Sequence, residues 1–265
     1  MKLLVAIGAL ALILWFETLF PLFRGRKERL RHIGRNLGLG LFNGLVIALL
    51  FSSLSVLVIH WGEEKSFGLL HWFNLSPWLG TLIALLLFDL WMYLWHRANH
   101  RIPFLWRFHR MHHSDNQIDA TTALRFHTGE LVFSSILRLA IIPLLGMSLS
   151  QLILYETLLQ PIIIFHHSNV ALPEKIDRIF RAIIVTPNMH RVHHSVVNQE
   201  TNSNYSSIFS FWDRIGQSFR RRVDLLALRY GLPDFREETW QTVIGMLKTP
   251  LKSSPSPSPR AGSRH

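Results

Sequence analysis

The chain contains no cysteine. Disulfides and thiolate metal sites are therefore excluded. Charge is sparse: Asp, Glu, Lys and Arg make up 17% of 265 residues, against about 25% in soluble domains. Acidic residues are the scarcer half, 17 against 28 basic ones, and the net charge is +11. No H-E-x-x-H occurs, which removes the helical motif that pairs two zinc ligands with the general base of a metalloprotease. What fills the composition instead is apolar sequence, 49% of the chain, and histidine, 15 residues of it.

The apolar residues form runs. Residues 3–23 and 37–61 are each about long enough to span a bilayer. A third run, 77–95, opens on Pro77, which a first helical turn tolerates. Two further segments, 131–147 and 150–165, read as a helical hairpin around Gly146 and Ser148, with Pro143 and Pro161 inside it. These runs predict an all-α integral membrane protein with about four to five transmembrane or membrane-embedded helices.

The basic residues orient it. The first connection, 24–35, holds six Lys or Arg, and the second, 62–76, holds one. Positive loops stay in the cytoplasm, so the first connection is expected there and the third span returns there at His96. That topology puts 25 of the 28 basic residues on the cytoplasmic side. It explains the charge without nucleic acid, and no nucleic-acid partner is expected. The histidine-rich part then forms a cytoplasmic helical cap beneath the spans, in a bacterial inner membrane or endoplasmic reticulum. The expected organisation is N-terminal spans over 1–76, a metal-binding catalytic region over 77–220, a cytoplasmic segment over 221–252 and a disordered Ser/Pro-rich tail over 253–265.

Eight histidines fall into three boxes: His96-x3-His100, His109-x2-His112-His113 and His190-x2-His193-His194. On a helix, positions i, i+3 and i+4 lie within about 100° of one another. Each box therefore aims its imidazoles to one side, as convergent metal ligation requires. His127, His166 and His167 stand at expected helix ends and bring the pool to eleven, more than one ion takes. Imidazole sites suit zinc, copper, iron or nickel, and not magnesium or calcium.

The order and spacing of these boxes resembles the fatty acid hydroxylase / sterol desaturase superfamily. So do Asp89-x3-Tyr93-x2-His96-Arg97, Arg125-x-His127-x2-Glu130, His167-Ser168-Asn169, Thr186-Pro187-Asn188 before the last box, Asn204-Tyr205 and Trp212-Asp213. Thr128 departs from the usual proline of the Arg125–Glu130 segment, and His166 stands where the family varies. The resemblance spans about residues 77–220. It implies a membrane enzyme with two Fe ions that uses O2 to hydroxylate a lipid C–H bond. Metal ligands would be His96, His100, His109, His112, His113, His127, His167, His190, His193 and His194. A lipid desaturase is the alternative on the same scaffold, and a zinc hydrolase a more distant one. Electrons would come from a separate donor of cytochrome b5, ferredoxin or reductase type.

Neutral imidazoles bring no negative charge, so carboxylates bonded to them are expected to matter. Asp89, inside an apolar span and on nearly the face of His96, is the first candidate. Glu130 is the second. The remaining histidines, His32, His60, His71 and His265, are expected to be bystanders.

Overall fold

The computed structural model describes residues 2–253, so residues 254–265 of the expected tail lie outside it. The described chain is helical and has no strands, only two isolated bridges, Pro21 to Val170 and Ile184 to Phe209. Helix α1 (Lys2–Leu19) is followed by α2 (Arg29–Glu64), α3 (Pro77–Arg101), α4 (Pro103–His113), α5 (Thr128–Leu145) and α6 (Leu149–His167). Short helices complete the cap: α7 (Glu174–Phe180), α8 (Pro187–His193), α9 (Asn198–Thr201), α10 (Phe211–Ile215), α11 (Glu238–Gln241) and α12 (Val243–Lys248).

Five helices, α1, α2, α3, α5 and α6, are long and apolar enough to cross a membrane. Two of them extend beyond their apolar runs. Helix α2 has 36 residues, about 54 Å at 1.5 Å per residue, against a hydrocarbon core of about 30 Å. Its basic first turns therefore stand outside the core. Helix α3 continues past Trp95 and carries the whole first box before breaking ahead of Pro103.

The hairpin forms at its punctuation. Gly146 ends α5 at φ 74°, in the left-handed region that glycine enters without strain. Ser148 then caps α6 through a reciprocal box with Gln151. Helix α1 packs against α6 and α2 against α5. Phe88, Ile142, Leu152, Tyr155 and Leu159 form the buried core between α3, α5 and α6. Outward-facing leucines such as Leu41, Leu45, Leu49 and Leu57 remain exposed, as a lipid-facing surface requires.

Buried arginines tie the cap to this bundle. Arg125 donates to Ser114 Oγ at 3.1 Å and Gln241 Oε1 at 2.9 Å. Arg110 donates to the Thr249 carbonyl at 2.5 Å, which straps the C-terminal segment beneath α4. Arg191 donates to the Ser168 carbonyl at 2.7 Å, which fixes α8 against the end of α6.

Candidate metal centre

The cytoplasm-facing ends expected for α3 and α6 meet α4 and α8, and nine imidazoles converge there. They form two groups. His96, His100, His109, His113 and His193 make the first, and His112, His167, His190 and His194 the second; within each, one ligand atom per residue lies within 4.8 Å of the others. All are buried except His96, which is half-buried.

The boxes divide between the groups. The sequence predicts that each box aims all its imidazoles to one side, but on a helix i and i+4 differ by about 40° while i+3 falls about 60° to the other side. Accordingly His109 and His113 join the first group and His112 the second, while His190 and His194 join the second and His193 the first. Helices α4 and α8 thus bridge the groups, whose rings adjoin at 4.5 Å between His112 and His194 in one group and 4.6 Å between His113 and His194 across them.

Hydrogen bonds set the rings. Nδ1–H of His96 donates to the Tyr205 carbonyl at 2.8 Å, that of His112 to Arg125 at 3.1 Å, that of His167 to Ile163 at 2.8 Å and that of His193 to Ser203 at 2.7 Å. Nδ1–H of His109 donates to Glu130 Oε1 at 2.8 Å. In a neutral imidazole with Nδ1 protonated, Nε2 is a bare lone pair. Nε2 of His96, His109 and His193 is buried and meets no partner among the described residues. Nε2 of His167 lies 3.1 Å from that of His112 and 2.9 Å from that of His190. The His112 and His167 lone pairs cannot bond each other; a cation held between them would account for the approach.

Burial, with the neighbouring imidazoles, holds His112, His113, His190, His193 and His194 well below the usual imidazole range. They are neutral at pH 7, the form that ligates metal. Donor type, convergence, burial and protonation all fit two metal ions.

The other predicted site residues are placed differently. His127 belongs to neither group: it caps α5, accepting from Gly129 N–H at Nδ1 (2.9 Å) and donating from Nε2 to the Leu247 carbonyl (3.1 Å). His166 is buried against His190, ring centroids 4.1 Å apart, and outside both groups.

Asp89 bonds no imidazole among the described residues. It accepts from Tyr155 Oη at 2.7 Å, Ile208 N at 3.2 Å, Phe209 N at 3.0 Å and Trp212 Nε1 at 3.0 Å. Seven residues put it on the face of His96 but about 10 Å deeper along α3. It staples the span to α6 and to the 208–212 segment. Glu130 does touch an imidazole. Asp213 acts at one remove, holding the Tyr205 and Ser206 amides at 2.7 and 3.1 Å.

His32 differs from the other expected bystanders. It bridges Asp115 Oδ1 at 2.9 Å and Asp119 Oδ2 at 3.0 Å. Burial works against the Asp115 charge, yet His32 and Arg125 hold its carboxyl well below the usual range. His32 thus clasps α2 to the turn after the second box. One signal for the arginine anchors lies in the sequence: each box opens His-Arg, at Arg97, Arg110 and Arg191.

A cavity of about 390 Å³ adjoins the histidines and runs between α2, α3, α5 and α6. Gly40, Ile47, Met92, Leu131, Leu159 and Ile163 are among its walls. A Cβ on Gly40 would meet Leu124 Cβ at 2.9 Å, so glycine there lets α2 approach the wall.

Comparison with known proteins accords with this site. The chain is 31% identical over 140 residues to the ornithine lipid hydroxylase of Rhizobium tropici, covering 52% of this chain and 41% of that protein. It is 30% identical over 168 residues to the human alkylglycerol monooxygenase, covering 60% and 35%. It is 24% identical over 186 residues to the rat cholesterol 25-hydroxylase, covering 68% and 58%. The chain thus spans roughly a third to three fifths of these relatives' lengths. No solved structure matches it. The fatty acid hydroxylase family matches residues 81–218, just over half of the chain and the region that carries all nine clustered histidines. With its five apolar helices, the chain is an integral membrane protein, and it belongs to the fatty acid hydroxylase family.

Proposed function

We propose that the protein is a membrane di-iron hydroxylase that uses O2 to insert oxygen into a C–H bond of a lipid. The observation that carries this reading is the pair of buried imidazole groups opening onto an apolar cavity between membrane helices. The ligands would be His96, His100, His109, His113 and His193 for one iron, and His112, His167, His190 and His194 for the other. Bound iron would supply O2 activation, and the chain supplies position and protection. The carbonyls of Tyr205, Arg125, Ile163 and Ser203 keep Nε2 of their histidines unprotonated and aimed inward. Walls from α2, α3, α5 and α6 hold an apolar chain beside the histidines and keep bulk water out. Electrons would be delivered by a separate donor protein.

Glu130 is the carboxylate in contact with this ligand set. Its Oε1, 2.8 Å from His109 Nδ1, fixes that ring, and its carboxylate would offset the charge of bound cations. Replacement by Gln keeps the shape and removes the charge. Glu130→Gln is expected to keep the protein monodisperse and to lower iron affinity or turnover by ~10–100-fold. Wild-type iron content and rate would exclude that role.

The three relatives named are hydroxylases or a monooxygenase by description, which favours hydroxylation over desaturation. The test is growth of expressing and non-expressing cells under 18O2, with mass spectrometry of their lipids. A hydroxylated lipid carrying 18O only in expressing cells is the expected result. A new double bond with no oxygen incorporated would identify a desaturase, and unchanged lipids would oppose both.

The charge distribution supports a site on the cytoplasmic side. A reporter fused at Arg264 is expected to be active in the cytoplasm; activity confined to the opposite face would reverse this topology.

A further inference from the structure

Arg138 lies in the middle of α5 and lines the cavity. Charge inside a spanning helix is costly and usually serves a partner. One partner is visible: Nη1 lies 3.4 Å from Glu156 Oε1 on α6. Glu156 is already engaged at 2.6 Å by Lys2. The face of the guanidinium rests on the Phe88 ring, 5.1 Å from its centroid. These contacts leave one edge. Nε and Nη2 are buried and bond nothing among the described residues.

That edge has a specific chemistry. Nε–H and one N–H of Nη2 lie parallel on the planar guanidinium and match the two oxygens of a carboxylate. Lys2, Glu156 and Arg138 together carry one excess positive charge, which a single anion would balance. Two unpaired donors in an apolar span are otherwise a standing cost. The location is equally specific. Arg138 is eight residues beyond Glu130, about 12 Å along α5, and the same cavity touches Glu130, His109 and His112 at its other end.

We propose that Arg138 anchors the polar end of the substrate, its Nε–Nη2 edge holding a lipid carboxylate while the chain runs along the cavity to the histidines. The substrate class is then an acidic lipid, and the spacing between Arg138 and the histidines selects the carbon that is oxidised. This rests on reading the cavity as the lipid site, but it concerns binding and can be tested without turnover.

The test uses the purified full chain in detergent, with oleate and its neutral analogue oleyl alcohol as probes. Binding is followed by the change in tryptophan fluorescence, to which Trp95 in the cavity wall contributes among nine tryptophans, and is checked by competition of unlabelled with labelled probe. Wild type is expected to bind oleate more tightly than oleyl alcohol. Arg138→Gln is expected to weaken oleate at least ~10-fold, leave oleyl alcohol within ~2-fold and leave iron content unchanged. Arg138→Lys retains the charge beside Glu156 but loses the paired edge. It guards against a folding defect in the Gln variant and is expected to weaken oleate several-fold while staying monodisperse. Equal oleate affinity in wild type and a folded Arg138 variant would overturn the anchor, as would a wild-type preference for the alcohol. Loss of oleate binding in the variants, in a wild type that forms no hydroxylated lipid, would uphold the anchor and count against the hydroxylase reading alone.

Discussion

Alanine at His112 or at His193 is expected to abolish turnover and to leave no more than one iron per chain. The two residues test the two groups separately, because His112 belongs to the four-histidine group and His193 to the five-histidine group. Each sits on a helix whose box also feeds the other group, so each variant keeps the helix and deletes one ligand. A residue that merely orients a ligand costs ~10–100-fold when lost, and a ligand should cost at least as much. His112→Ala strikes the smaller set, leaving three imidazoles, and should lose its iron more completely than His193→Ala, which leaves four. The controls are His60 and His71, both exposed and far in sequence from the boxes. Alanine there is expected to change neither rate nor iron. Iron analysis and initial rates on the four purified variants decide the matter, and full activity in His112→Ala would remove it from the centre.

The second large effect is on stability. Asp89→Asn is expected to destabilise the protein. The carboxylate accepts from four donors, two at each oxygen. An amide has one acceptor oxygen, and its NH2 must face two of those donors. The Tyr155 hydroxyl can rotate and accept instead; the Ile208 and Phe209 amides and the Trp212 indole cannot. At least one buried donor is left unsatisfied, at about 1–3 kcal/mol each. The thermal midpoint in detergent is expected to fall by roughly 2–10 °C. Iron content should follow the folded fraction, because Asp89 bonds Tyr155, Ile208, Phe209 and Trp212 and no imidazole among the described residues. An unchanged midpoint would show that the four bonds carry no net stability. Unchanged stability with reduced iron would restore the direct role that the sequence predicts for Asp89.

His112, His193 and Asp89 show what can be read from sequence and what cannot. The boxes are legible because ligand spacing and helical periodicity share one rule, and all eight box histidines converge. His167 is legible from its place after an apolar run. The division of a box between two groups follows from the same 100° step, but only the packing of α4 against α8 shows which side each imidazole faces. Asp89 misleads because angular position ignores depth: it shares a face with His96 and lies two turns away. His127 misleads because a histidine before a helix serves equally well as its cap. His32 is hidden because its partners, Asp115 and Asp119, are more than eighty residues away. The spans themselves are legible from apolar length. The C-terminal strap is only half legible: the His-Arg opening of its box marks Arg110, while Arg125 is a buried charge that no hydropathy pattern marks.

Nine imidazoles are proposed to hold two iron ions. The most direct measurement is metal analysis of the purified protein, expressed with iron supplied and reported per mole of chain. The expected result is close to two iron ions per chain, falling to one or none in His112→Ala. One metal ion per chain, none, or stoichiometric zinc that persists when iron is plentiful would contradict it.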